Sequence, residues 1–417
     1  MDVNSKPRVI ITTDSEIDDK CSMLRFLLYT SDVDVQGIVS VNSKWQKDGH
    51  GEIWIHEMID NYATVHKNLL LHNPAYPDPH HLHSVTWQGM VDRAPLYAAG
   101  PPYRDTKGSD LIIDKLLDDD PRPLYVSMWG GGTMVAHALW RIRHDFSPAD
   151  FEKAAEKARL YFIDYQEFGT GGGKWLRENM PQVQNILDYQ FCDTWNYRPR
   201  RRQPHEAYMG EDFLVKYVKS GHGPLGSEYY VMGNGLYVSE GDTPSYLWLV
   251  DNGLRSHERP DFGGWGGRHR NIGANQWNDA QDDGDDRKPL WRWTPATQND
   301  WAARLDWCVK PYAEANHPPQ VALDGPLDRT VSPGETVRLD ASATADPDGN
   351  DLTFSWWQYH DAGTVQARIG IDGASTRDAA RFTVPNEPGR QIHVICEVTD
   401  NGEPPLTRYR RLIFSIK

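Results

Sequence analysis

The stretch VIITTDSEIDD, Val9 to Asp19, decides how the rest of the chain is read. Three apolar β-formers run into a threonine pair, and four acidic residues, Asp14, Glu16, Asp18 and Asp19, then fall within six positions. A short apolar run bounded by polar residues predicts a buried strand over Arg8 to Thr13, and DDKCSMLRFLLY, Asp18 to Tyr29, predicts a helix. The acidic residues therefore sit where a strand hands over to a helix. Carboxylates this close raise one another's pKa unless positive charge holds them. The helix N-terminus supplies part of that charge to Asp18 and Asp19, and a bound divalent cation would supply the rest. Oxygen donors without Cys or His favour Ca²⁺ or Mg²⁺ over zinc. A helix cap with a solvated acidic turn is the plainer alternative.

Outward from this turn the pattern alternates. VQGIVSV, Val35 to Val41, reads as a strand, and Glu52 to Val65 as a helix with Ile55, Ile59, Tyr62 and Val65 on one face. Ser109 is expected to cap DLIIDKLL. Leu124 to Met128 is a strand, Thr133 to Arg143 a helix, and Leu160 to Ile163 a further strand. Short apolar strands alternating with helices imply an α/β fold, a mostly parallel sheet with helices on both faces. Ligands in such sheets bind beyond the carboxyl ends of the strands. Asn42, the run Trp129-Gly130-Gly131-Gly132, and Asp164 to Glu167 occupy the same end of their strands as the acidic turn. The segment Gln166 to Met180, with its glycine run, reads as a loop or a lid over that rim. After Pro318 the pattern becomes short alternating strands separated by DPDGND and NGEPP, an all-β Ig-like sandwich of roughly 100 residues. The expected division is 1–315 for the α/β domain and 316–417 for the sandwich.

A chain of 417 residues with 39% hydrophobic residues and 16 tryptophans supplies two cores. A net charge of −15 argues against nucleic acid or an anionic membrane as partner, and the basic run Arg198 to Arg202 reads as a local loop. No apolar run reaches bilayer length. The opening MDVNSKPRV has no apolar signal-peptide core; the expectation is a secreted or periplasmic protein whose leader is not in this sequence, with a cytoplasmic location as the alternative. Four cysteines show no metal-ligand spacing. The triplet His80, His81 and His83, the run Asp282 to Asp286, and DPDGND read as loops before they read as metal sites.

The acidic turn resembles the N-terminal motif of the inosine-uridine nucleoside hydrolases, a strand ending in Asp-x-Asp followed by two adjacent aspartates. Asp14, Asp18 and Asp19 match; Thr12 stands where that family has its first Asp, and Glu16 where it has Gly. RVIITTD, FLLYTSDVDVQGIVSV, KWLRENMP and EGDTPSYLWLVDNGL resemble more closely the Sde182-type cellulose-binding family, which pairs a nucleoside-hydrolase-like domain with a C-terminal sandwich. The resemblance implies a Ca²⁺ site made of Asp14, Asp18, Asp19, the Trp129 backbone carbonyl and Asp242, with Asp14 also the general base, and sugar contacts from Asp18 and Asn42; Asp164, by its place at the rim, is a further candidate substrate contact. It implies a calcium-dependent glycosidase acting on a carbohydrate, a furanoside among the options. A non-catalytic cellulose-binding protein is the alternative, and a ribonucleoside N-glycosidase the third reading. Homo-oligomers are common among nucleoside hydrolases, so one is an option here. No histidine aligns with a base-protonating role; Glu16 or Glu167 is the candidate acid. Trp175, Arg177, Trp265 and Arg268 are candidate sugar contacts.

Overall fold

The computed structural model describes residues 6–164, 171–195, 203–230 and 237–417; Glu167 and the basic run at 198–202 lie outside the described residues. One sheet of eight strands organises the first two-thirds of the chain. Its members are β1 (Arg8–Thr13), β2 (Asp34–Ser40), β3 (Thr86–Gln88), β4 (Leu124–Met128), β5 (Ala158–Ile163), β6 (Gln184–Asp188), β7 (His269–Gly273) and β8 (Gln276–Asp279). They lie in the order β3-β2-β1-β4-β5-β6-β8-β7. All neighbours are parallel except β7, which pairs antiparallel with β8 at the edge. β1 and β4 are buried at every position, as a parallel sheet covered on both faces requires. The chain winds outward from β1 in one direction to β3 and in the other from β4 to β6. The topological switch therefore falls between β1 and β4, where an open α/β sheet forms its crevice.

The helices Ile17–Leu27 and Ile53–His72 pack on one face and contribute to one apolar core; Lys107–Leu117 and Gly132–Asp145 contribute to the other. Two sequence expectations are corrected here. Thr106, not Ser109, caps the helix Lys107–Leu117, and Ser109 closes a capping box from its third position. The glycine run is not a loop: Gly171–Asn179 is a helix. A Cβ on Gly172 would stand 2.3 Å from the carbonyl oxygen of Gly132, so the small residues serve close packing of two helices.

The C-terminal strands are β9 (Asp328–Val331), β10 (Thr336–Leu339), β11 (Leu352–Gln358), β12 (Ala380–Thr383), β13 (Gln391–Asp400) and β14 (Thr407–Ile416). They form a four-stranded sheet, β11-β13-β14-β9, and a two-stranded one, β10-β12. The pairs are antiparallel apart from β14 with β9. A core of Val337, Phe354, Ile392, Val394, Leu412 and Phe414 lies between them.

This region is welded to the first. Trp265, Trp293, Tyr359 and Tyr409 belong to the same buried cluster as the sheet-facing helices. Asp282, expected in a solvated loop, is fully buried; it accepts hydrogen bonds from Arg268 (2.7 Å), Arg292 (2.9 Å) and the Tyr359 hydroxyl (2.7 Å). Asp300 is the second anchor. Its carboxylate accepts from Arg304 at 2.8 Å on its own helix and from Arg408 of β14 at 2.7 Å. Removing one member of a buried ion pair strands its partner's charge, which costs about 3–5 kcal/mol. Asp300→Ala is therefore expected to lower folding stability by roughly that amount, read from the urea denaturation curve; a loss under about 1 kcal/mol would mean that the two arginines find other partners.

Candidate functional site

The acidic turn lies in the crevice between β1 and β4. The carboxyl end of β1 is tied to the residues just after β4: the Thr12 hydroxyl donates to the Gly130 carbonyl at 2.5 Å, and the Trp129 N–H donates to the Thr12 carbonyl at 2.9 Å. Thr12 thus serves as a clamp where the resembling motif has a carboxylate. An Asp there would put an acceptor against an acceptor. Ser15 then takes a left-handed conformation, φ 71°, unusual for a residue with a Cβ and common at functional turns. It reverses the chain so that Asp14 and the first turn of the helix Ile17–Leu27 face one another.

Asp14, Asp18, Asp19 and Asp242 are all buried. Donor oxygens of Asp14, Glu16 and Asp19 fall within 4.8 Å of one another, as do those of Asp18, Asp19 and Asp242. Asp19 is shared by both groups. Its Oδ1 accepts from the Asp14 N–H at 2.9 Å and from the Thr13 hydroxyl. Asp242 reaches the cluster from far along the chain because the loop before it is held from beneath. Arg25, fully buried on the helix Ile17–Leu27, donates to Glu240 at 3.1 Å, to Gln298 at 2.7 Å and to the Thr297 carbonyl at 2.7 Å. Glycine at position 241 is required for the approach, since a Cβ there would stand 2.8 Å from Asp18 Oδ2.

Burial and mutual repulsion dominate the protonation of this cluster. Burial, then the negative neighbours Asp14, Asp242 and Asp18, push Asp19 well above the usual carboxylate range. Asp242 is raised well above it by burial and by Asp18, Asp14 and Glu16. Asp14 is raised by burial, opposed by hydrogen bonds. Glu16 is pushed up to about 8 by burial and by Asp14 and Asp18, and Lys44 opposes the shift. The buried Oδ2 atoms of Asp14 and Asp242 have no hydrogen-bond partner, an arrangement that ordinarily costs a buried polar atom dearly. Hard oxygen donors, several negative charges and unpartnered lone pairs are the donor set of a divalent cation.

The other expected residues divide. Trp129 is buried, its indole N–H donating to Ser245 Oγ at 2.8 Å, so the side chain is structural and the backbone runs beside the turn. Asn42 uses its amide N–H₂ to brace the Lys47 and Asp92 carbonyls (3.0 and 2.8 Å), while its buried Oδ1 has no partner. Asp164, also left-handed at φ 60°, pairs with Lys44 at 2.8 Å. Trp175 and Arg177 are half-buried on the helix Gly171–Asn179, with the Trp175 ring against Gly100. Two candidates are corrected. Trp265 is fully buried, with Arg408 over its ring at 5.5 Å, and Arg268 is bonded to Asp282. Trp265 cannot stack on a ligand without opening the core, and the Arg268 guanidinium is committed to Asp282 and the Gln281 carbonyl. His81 and His83 bond to the Val35 carbonyl and to His56, at 3.0 and 2.7 Å.

Sequence reading missed a second titratable group at the same rim. Asp188 ends β6, and donor atoms of Asp188, Asp279 and His269 lie within 4.8 Å of one another. Tyr161 donates to Asp188 at 2.8 Å, and burial pushes His269 down to about 3, keeping it neutral. An aspartate directly after a strand was the available signal.

The raised carboxyls fix the sign of a pH effect. Glu16, held at about 8 against an ordinary value of 4.5, keeps a proton in the folded chain that the unfolded chain releases; Asp14, Asp19 and Asp242 shift the same way. Their contribution to stability is full below the ordinary carboxylate range and lost as pH rises through the folded values. Chelator-stripped protein is therefore expected to show a higher urea midpoint at pH 5.5 than at pH 8.5, with a smaller difference in Asp242→Asn. A midpoint that rises with pH would contradict the burial of charge described above.

Comparison with known proteins bears on the family and the fold. Residues 8–269 match the family model described as cellulose-binding Sde182, nucleoside hydrolase-like domain, and residues 336–416 match the cellulose-binding protein Sde0182 C-terminal domain. No functionally curated protein matches. A solved structure described as a nucleoside hydrolase-related hypothetical protein from Saccharophagus degradans, associated with carbohydrate metabolism, aligns at 30% identity. That alignment covers 99% of this chain and 100% of the other, with a TM-score of 0.85. A PKD domain from the KIAA 1837 protein aligns over 24% of this chain and 89% of its own at 14% identity, and its TM-score of 0.18 carries no structural weight. The chain belongs to the Sde182 cellulose-binding family, with that family's nucleoside hydrolase-like domain and its C-terminal domain in one polypeptide.

Proposed function

We propose that the protein is a calcium-dependent hydrolase that cleaves a glycosidic bond of a carbohydrate at the acidic turn. The observation that carries this reading is the buried set Asp14, Asp18, Asp19 and Asp242 in the sheet crevice, two of whose oxygens have no partner. These four side chains and the Trp129 carbonyl would hold the ion. When bound, the cation offsets the mutual repulsion of the carboxylates and makes water more acidic. Asp14 is the base that takes the proton from the attacking water. An oxocarbenium-like transition state places positive charge at the anomeric carbon, and the carboxylate ring stabilises it. Glu16, beside Asp14 and partly exposed, is the acid that donates a proton to the leaving oxygen in this reading; its carboxyl, held at about 8, supports the role. Glu167 belongs to the undescribed segment and takes no part in this assignment.

A carbohydrate, rather than a nucleoside, is supported by the description of the family as cellulose-binding and by the relative's association with carbohydrate metabolism. The second reading is a non-catalytic carbohydrate-binding protein in which the ion is a clamp; Thr12 favours it, since the resembling motif has a carboxylate there.

The deciding measurement is sugar release from nucleosides, aryl furanosides and pyranosides, and plant or algal oligosaccharides, with and without EDTA. A positioned base contributes about 10²–10⁴-fold, so Asp14→Asn is expected to lose at least that much turnover while keeping its fold. Calcium is expected to raise the thermal midpoint of the wild-type chain and to do so far less in Asp242→Asn. Release that survives both EDTA and Asp14→Asn would overturn the catalytic reading. No release from any substrate, with calcium stabilisation intact, would favour the clamp.

A further inference from the structure

Two aromatic side chains stand out into solvent at the rim that carries the acidic turn. Trp45, in the loop after β2, is 63% exposed, and Tyr189, directly after β6, is 47% exposed. Lys44 and Asp164 lie between them. Lys44 Nζ sits 5.0 Å from the centre of the Trp45 ring and 2.8 Å from Asp164. The Asp164 N–H donates at 3.1 Å to the carbonyl of Asp188, the residue before Tyr189. Across the rim the order is therefore aromatic ring, cation, anion, aromatic ring. Lys44 also acts on Glu16, lowering its otherwise raised pKa, so the strip abuts the acidic turn.

The loop presenting Trp45 is braced. Ser43 Oγ accepts from the Trp45 and Gln46 N–H groups at 3.0 and 3.2 Å, and Asn42 fastens the Lys47 carbonyl from inside. An indole held out on a built loop adds little to the core, while a flat apolar face with a polar edge is what the C–H face of a sugar ring packs against. The ion pair beside it offers a donor and an acceptor to hydroxyl groups and carries no net charge, which suits a neutral sugar. The large hydrophobic side chains that stand exposed all lie at or before Tyr312, so the sandwich presents no comparable platform.

We infer that the strip Trp45, Lys44, Asp164 and Tyr189 is a subsite for the sugar rings of a neutral carbohydrate chain that continues beyond the unit held at the acidic turn. The ligand is then an oligosaccharide or polysaccharide, not a nucleoside or a single glycoside. The inference rests on the carbohydrate reading above, and sharpens it to a chain of several units.

Calorimetric titration of the full chain with neutral β-1,4-glucan, xylan and arabinan oligomers of two to six units tests it. For at least one series, wild-type affinity is expected to rise with length. Trp45→Ala is expected to weaken binding of the longest oligomer about tenfold, as one lost stacking contact would, and to leave the shortest nearly unchanged. Trp45→Phe should restore most of the loss, and Tyr189→Ala should act in the same direction. Calcium stabilisation should not change in any of these variants, which separates a subsite role from a folding defect. A loss equal at all lengths, or no loss at the longest, overturns the inference, and so does a wild-type chain that binds none of the oligomers. Asp14→Asn titrated in parallel keeps the two claims apart. Binding that retains its dependence on length and on Trp45 while sugar release persists in Asp14→Asn defeats the catalytic reading and leaves the subsite standing.

Discussion

Mutual repulsion among buried carboxylates is the constraint around which this molecule is arranged. Asp14, Asp18, Asp19 and Asp242 converge where β1 and β4 lead their chains apart, and two cations beside the cluster are engaged with other carboxylates. Arg25 answers Glu240, one layer below, and Lys44 answers Asp164, one layer above. The first keeps the loop of Asp242 against the helix Ile17–Leu27; the second holds the rim. Hydrogen-bond donors reach Asp19 from Thr13 and from the Asp14 N–H, and the Oδ2 atoms of Asp14 and Asp242 are left without a hydrogen-bond partner. A fold spending only stability would not retain such a cluster, because replacing buried charge by apolar groups is often neutral or stabilising.

The strand, turn and helix around Val9–Asp19 were legible because each local rule agreed: an apolar run, two threonines, then acids in the first turn of a helix. The switch point followed from the alternation of strands and helices, since strand order determines where the crevice opens. Asp242 was legible through the resemblance alone. No local pattern in EGDTPS announces that Arg25 and Glu240 hold it against a turn at the other end of the domain.

The misread residues share a cause. Glycines at 171–173 promote loops in isolation, and here a neighbouring helix demands the absence of a Cβ. Trp265, Arg268 and Asp282 look like an exposed, sugar-suited patch in a Gly- and Asp-rich stretch, yet docking of the C-terminal region buries all three. Conversely, Trp45 gave no sign of importance, because exposure is a property of the assembled loop. Long-range packing decided each of these cases, and composition and periodicity do not carry that information.

The welded junction also bears on where a polysaccharide would be gripped. In a binding protein whose sandwich carried the affinity, aromatic side chains would be expected to project from that module. Here Trp356 and Tyr359 are buried within it or beneath it, Tyr409 faces Trp293 of the α/β region, and Trp357 donates to Glu397. Arg408 and Arg411 of β14 are likewise turned toward Asp300 and toward the Leu254 and Gly263 carbonyls. The sandwich therefore directs Tyr359, Tyr409, Arg408 and Arg411 at its neighbour, as a brace does, while Trp45 and Tyr189 face solvent at the strand-end rim beside the acidic turn. Binding and chemistry, on this arrangement, share one surface. A change that detaches the C-terminal region would then act on carbohydrate recognition by loosening the body that carries Asp242 and the rim, without removing any sugar contact itself.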